Sequence, residues 1–135
     1  MATLKLEIIT PEAKVYSQDV DMVTIPGSEG EMGIYPMHLP VMTQVAAGEV
    51  IARTGAKESY LAVGDGFVQI TGEKVAIMTD MAIAAENIDE LQAEEARKRA
   101  EARLAEKLDD EETALVQAAL AHSLAQLDVK RRRRG

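Results

Sequence analysis

The sequence contains no cysteine and no tryptophan, and its aromatic residues, one phenylalanine and three tyrosines, make up 3% of the chain. Without cysteine there is no disulfide framework, no thiolate nucleophile and no Cys-ligated zinc site, and a reducing compartment is permitted. So few aromatic rings leave no stacking platform for bases, and the core must be built from Leu, Ile, Val, Met and Ala. Proline and glycine are missing from most of the second half. All four prolines lie at or before Pro40 and eight of the nine glycines at or before Gly72, so residues 73–134 hold neither. Long apolar runs are missing too. The longest uncharged stretch, Gly33 to Gly48, is interrupted by Pro36, His38, Pro40 and Gln44, and falls short of the roughly 18–20 apolar residues of a membrane span. The opening Met1-Ala-Thr-Leu-Lys-Leu-Glu7 has neither a basic leader with an apolar core nor an Arg-rich presequence, so no export signal is expected.

What is present is a chain of 135 residues, 47% apolar and 28% charged, sufficient for one domain or a small domain with an appendage, and too short for a large multidomain enzyme. The net charge is −8, from 15 bases and 23 acids, and five of the bases are Lys130, Arg131, Arg132, Arg133 and Arg134; without them ten bases face 23 acids, a net −13. An acidic body repels phosphate backbones, which excludes nucleic acid as its partner, and leaves the basic tail to seek an acidic one.

The breakers divide the chain. In the front half turn signals recur every 8–12 residues between short β-rich runs, the pattern of an all-β sandwich or barrel. Leu4, Leu6 and Ile8 alternate with Lys5, Glu7 and Ile9, and Val23 and Ile25 continue a strand that stops at Pro26-Gly27, each a half-buried strand by its period of two. Val41–Val45, Glu49–Arg53, Ser59–Val63, Phe67–Thr71 and Lys74–Thr79 are further strands. With no helix-length pattern between them, antiparallel pairing is the economical expectation.

From Asn87 the period becomes helical. Asn87 as N-cap with Glu90 three residues on resembles a capping box, and Ala93, Ala96, Ala100 and Leu104 recur at spacings of three and four. After Leu108 the cluster Asp109 to Glu112 offers a second N-terminus, with Asp109 or Asp110 as N-cap; the second helix carries Leu115, Val116, Ala119, Leu120, Leu124 and Leu127 and ends in the basic tail, where cations suit the negative pole. Two helices of about 20 residues joined by so short a turn fold into an antiparallel hairpin. Its alanine-rich seam offers little area, so the hairpin is expected to be marginal alone, to dock on the β part or a partner, and to detach.

The residues that could carry chemistry read as structure. Gly27-Ser-Glu-Gly30-Glu-Met-Gly33 lacks the lysine of a phosphate loop, places Glu29 and Glu31 where anions would sit and runs into Tyr35-Pro36 rather than a helix. His38 with Glu29 and Glu31 matches no metal-ligand spacing. His122 stands mid-helix, and the four serines, at 17, 28, 59 and 123, form no nucleophile arrangement with either histidine. No catalytic residue and no metal site is expected.

The segment Gly27-Ser-Glu-Gly-Glu-Met-Gly-Ile-Tyr-Pro-Met-His38-Leu-Pro-Val, the Gly48 turn, Gly64-Asp-Gly66-Phe67-Val and Asn87-Ile-Asp-Glu-Leu-Gln-Ala93 closely resemble the epsilon-subunit family of F-type ATP synthases, over nearly the whole chain. Met37 departs from the family, which usually has glycine there, and asks for a more ordinary backbone angle. The resemblance implies an α+β chain in two parts: residues 1–86 an antiparallel β-sandwich of about ten strands that binds the rotor stalk and c-ring, and residues 87–135 a regulatory two-helix hairpin. It implies a rotor subunit binding gamma and the membrane-embedded c-ring, coupled to proton or sodium-ion flow, peripheral on the cytoplasmic face of a bacterial inner membrane. The family's c-ring-facing loop maps onto Glu29, Gly30, Glu31 and His38. In bacterial relatives the hairpin either lies on the sandwich or extends into the alpha/beta catalytic head and inhibits hydrolysis. Here His122 and Gln126 stand where a basic run would meet the head, so the tail, Lys130 and Arg131 to Arg134, is expected to supply that charge. Some relatives bind ATP at the folded hairpin. Of that motif Ile88, Asp89, Ala93 and Arg99 remain, while Gln92, His122 and Gln126 replace arginines and Ile83 replaces a glutamate. Each lost charge-assisted bond to phosphate costs roughly 1.5–3 kcal/mol, so no cofactor is required and any ATP binding is expected to be weak. Two rival readings stay open at this point: a free-standing non-catalytic adaptor whose hairpin binds a partner helix, and an enzyme, which demands a pocket of convergent polar groups that the sequence does not locate.

Overall fold

The structure, a computed structural model, describes residues 3–37 and 40–133. Ten strands come first: β1 (Leu4–Ile9), β2 (Lys14–Val20), β3 (Met22–Gly27), β4 (Gly30–Ile34), β5 (Val41–Val45), β6 (Gly48–Thr54), β7 (Lys57–Val63), β8 (Gly66–Ile70), β9 (Lys74–Thr79) and β10 (Ala82–Ala84). A 3-10 turn, Ala85–Asn87, leads into helices α1 (Glu90–Leu104) and α2 (Asp110–Arg133). The strand order is β10-β7-β6-β3-β5-β8-β9-β1-β2, with β4 bonded to β3 off this path. Between β3 and β5 the ladder narrows to a single pair, Gly27 with Val45. There the sheet folds over, so its two halves share one core, and β2 approaches β6 at the far side.

That core is aliphatic, as so few aromatics require: Leu6, Ile8, Ile25, Ile34, Leu61, Ile70 and Ile77 are its largest buried members. Burying each contributes roughly 1.5–3 kcal/mol. The expected alternation holds in β1, where Leu4, Leu6 and Ile8 point inward. Three strands escape the expectation: β2, β4 and β10. Pairing is not wholly antiparallel, for β1 runs parallel to β9, Lys5 opposite Lys74 through Ile9 opposite Met78. The long connection from β1 back to β9 permits a parallel neighbour that no local pattern announces.

Glu7 corrects the half-buried reading. It faces away from the core yet is only 4% exposed, because Lys14 of β2 and Lys74 of β9 reach over it, each ammonium 2.5 Å from a carboxylate oxygen. The hydrogen bond from Lys14, then that from Lys74, lowers the Glu7 carboxyl from 4.5 to about 2. A depressed acid stabilises the fold above its ordinary pKa and ceases to as pH falls through the folded value. Between pH 4.5 and 2, the melting temperature of the wild type should therefore converge on that of Glu7→Gln; parallel curves across this window would remove Glu7 from the account.

α1 begins later than expected. The N-cap is Asp89, whose Oδ1 accepts from the Gln92 amide at 3.1 Å; Asn87 belongs to the 3-10 turn because Ile88, 4% exposed, is drawn into the interior between the two. α2 starts as expected, Asp109 Oδ1 accepting from the Glu112 amide at 2.7 Å. The helices have 15 and 24 residues rather than about 20 each. Ala93 and Ala100 are buried in the seam and Ala96 and Leu104 half-buried. On α2 the buried residues are Ser123, Ala125, Leu127 and Val129, whereas Leu115 and Leu124 are exposed. The C-terminal half of α2, from His122 onward, has neighbours on two sides: α1 on one, and β6, β7, the 3-10 turn and Asp80 on the other.

Candidate functional site

Four surfaces result. The first is the tip of the β3–β4 hairpin, where Ser28-Glu29 turn between Gly27 and Gly30. Gly30 takes φ 126, a conformation that glycine alone adopts without strain. Glu29, Gly30 and Glu31 are exposed together there. The glycine-rich segment Gly27 to Gly33, expected to be a structural loop rather than a phosphate loop, forms this hairpin, with a positive φ at Gly30. His38 lies outside the described residues. Met37, expected to adopt an ordinary angle, keeps a positive φ of 68; its amide donates to the Gly72 carbonyl at 2.9 Å, which holds the backbone there, and its side chain is 79% exposed and so meets no obstacle.

The second surface is the outer face of β5, β8, β9 and β1. The register places Ile9, Met78 and Phe67 side by side in one row; on β5 Gln44 stands opposite Phe67, and Met42, opposite Gln69, lies diagonal to it. The chain's one phenylalanine is 51% exposed and Met42 60%. A contiguous apolar strip in water on an otherwise acidic protein marks a contact surface.

The third is a cleft of about 580 Å³ between the helices and β10, lined among others by Ile83, Asp89, Gln92, Arg99, His122 and Gln126. Every position compared with the nucleotide motif except Ile88 meets in this cleft; Ile88 is buried beneath it with Ala62, Ala85, Ala125 and Val129. The donors do not fit a triphosphate. Arg99 is the one arginine lining it, Asp89 is occupied in capping α1, Glu95 adds a second carboxylate, and His122 Nε2 lies 3.1 Å from Asp80. Nor do three metal-ligating side chains come together anywhere among the described residues.

The fourth is the basic end of α2. Arg133 donates through Nε and Nη2 to both Glu49 oxygens at 2.8 Å, and Arg132 Nη1 donates to the same carboxylate at 3.0 Å. The Arg133 guanidinium stacks 3.9 Å from the centre of the Tyr60 ring, and the Glu49 bonds raise its already high pKa. Arg131 turns the other way, to Glu90 and Glu94 of α1 at 2.9 and 3.0 Å, and Lys130 donates to the Ala85 carbonyl at 3.2 Å. Arg134 lies outside the described residues. The sequence singled out the tail but not its partners Glu49 and Tyr60, which lie on the outer face of β6 and β7 in rows that only the register reveals.

Residues 3–85 match the family model described as the beta-sandwich domain of the ATP synthase delta/epsilon chain, and residues 86–131 the one described as its long alpha-helix domain. The chain is 44% identical over 135 residues to a protein named ATP synthase epsilon chain from Dehalococcoides mccartyi, covering 99% of this chain and 96% of that one. It is 36% identical over 138 residues to the protein of the same name from Laribacter hongkongensis, covering 98% and 99%. In fold it resembles a chain of the Euglena gracilis mitochondrial ATP synthase, solved with its c-ring (TM-score 0.76, 24% identity, 95% of this chain and 81% of that one). It also resembles one from the central stalk and c-ring of the Tetrahymena thermophila enzyme (TM-score 0.60, 12% identity, 96% and 94%).

Proposed function

The chain belongs to the ATP synthase delta/epsilon-chain family, and we propose that it ties gamma to the c-ring in the rotor and restrains ATP hydrolysis through its helical hairpin. It is a non-catalytic subunit of the central stalk. No helix among the described residues is long and apolar enough to cross a membrane, and attachment is peripheral, through the c-ring, at the cytoplasmic face. Residues 1–86 act as the gripping part and 87–135 as the regulatory part.

The observation that carries the rotor reading is the apolar row Ile9, Met78 and Phe67, rigidly mounted on three adjacent strands. We assign gamma to this row. A half-exposed aromatic in an apolar row is the kind of anchor that dominates binding. The acidic tip, Glu29 to Glu31, faces the c-ring, where charge gives register and encounter rate more than affinity. The hairpin reading rests on the thin seam: no residue of α2 before Ser123 is fully buried, so its detachment loses little. A free-standing adaptor would need neither surface.

Phe67→Glu places a charge in the row without touching the core. It should weaken copurification of gamma by about 30-fold or more, the loss expected at an interface hot spot of 2 kcal/mol, with the sandwich's circular dichroism unchanged. Undiminished recovery of gamma would dissociate the row from the rotor.

A further inference from the structure

Two acids are buried among the described residues, Glu7 and Glu49. Glu7 is sealed by lysines of the sandwich itself, but Glu49 is sealed by arginines that arrive 83 and 84 residues later. We propose that Glu49 and Tyr60, with Arg132 and Arg133, form a latch that decides whether the hairpin stays on the sandwich. The inference rests on reading the hairpin as a regulatory element and names the contact that governs it.

The apolar part of the attachment is small. Ala125 and Val129 of α2 meet Ala62, Ala85 and Ile88, with Ala47, Tyr60, Met81 and Ile83 packed around them, so from α2 this cluster takes one alanine and one valine. The final turn closes the joint by charge. Three guanidinium N–H groups converge on one carboxylate that is 8% exposed, and the stacked Tyr60 ring shields one face of Arg133. Charge-assisted forked bonds of this kind are among the stronger polar contacts. A buried acid that loses its partners is normally a severe penalty. Here it is not, because the hairpin is itself the lid: once α2 lifts, Glu49 stands on the outer face of β6 in water. The latch is therefore reversible. Arg131 bonds only within the hairpin, to Glu90 and Glu94, and moves with it, so it serves as the internal control.

The full chain provides a clean test, since it has no cysteine of its own. Spin labels on Glu73→Cys and Glu111→Cys, both exposed sites, report the distance from the sandwich to the far end of the hairpin. In Glu49→Gln the ratio of open to closed molecules should rise about ten- to hundredfold, the worth of one or two charged hydrogen bonds. The pair Arg132→Gln with Arg133→Gln should do the same, and Arg131→Gln should leave the distribution as it was. If Glu49→Gln unsettles the sandwich, the arginine pair, which belongs to no strand, still decides. A distribution unmoved by that pair overturns the latch, as does an equal shift with Arg131→Gln. Opening in Glu49→Gln, which leaves the basic tail intact, combined with unaltered hydrolysis by the assembled complex would uphold the latch and overturn the inhibitory reading instead.

Discussion

Removing residues 88–135 is expected to raise ATP hydrolysis by the assembled complex at least about fivefold, the lower end of typical coupling between regulatory and active sites. The sandwich should survive the cut, because its sixteen-residue core from Leu4 to Ile77 is closed without the helices. Truncation dismantles the separate cluster of Ala62, Ala85, Ile88, Ala125 and Val129, uncovers Ala62 and Ala85 with the Ala47, Tyr60, Met81 and Ile83 side chains packed around them, and returns Glu49 to water. The stump should still copurify with gamma through Phe67 and its neighbours, which lie on the other half of the sheet. Hydrolysis measured with full-length and truncated chains at equal gamma occupancy is the deciding comparison. Equal rates would leave the hairpin without an inhibitory role.

Gly66→Ala should cost about 2–3 kcal/mol of stability, the upper range for forcing atoms into a packed interior. A Cβ there would overlap the Met78 carbonyl oxygen and lie 2.9 Å from the Thr79 Cα. Those are backbone atoms of the paired strand, Gly66 standing opposite Thr79, so relief means parting β8 from β9. For a chain of this size the melting temperature should drop by roughly 6–15 °C. Gly33→Ala is the contrast: its Cβ would meet only the flexible end of Met22, at 3.0 Å. A thermal scan showing the two variants equally stable would mean that β8 and β9 yield far more easily than their pairing suggests.

The strands legible in the sequence were β1 and β3, through their period of two, and β5 to β9, short β-rich runs set between turn signals; β6 and β7 do not alternate strictly, because Glu49 and Ala62 on their outer face are covered by α2. β2 escaped because Lys14–Val20 is an edge strand exposed along most of its length, so no face of it is apolar. β4 carries Gly30 and Gly33 in five residues and resembles a loop. β10 is three residues long. The helix pattern gave the seam of α1, but burial on α2 failed at Leu115 and Leu124, because a helix packed on two sides at one end only has no single apolar stripe. The site was legible to the same degree. Charge clustering exposed the basic tail, and the family resemblance pointed to the acidic tip and to the positions that line the cleft, while Glu49 and the Phe67 row depend on strand register, which leaves no local mark.

The parallel pairing of β1 with β9 also has a history during synthesis. β1 and β2 form a hairpin early, but the other edge of β1 waits for the segment that begins at Lys74. At 5–20 residues per second that interval is roughly 3–14 s, during which Leu4, Leu6 and Ile8 lie along an open strand on the ribosome. Lys5 and Glu7, interleaved with them, put charge along this edge, the kind of placement that disfavours pairing with another chain.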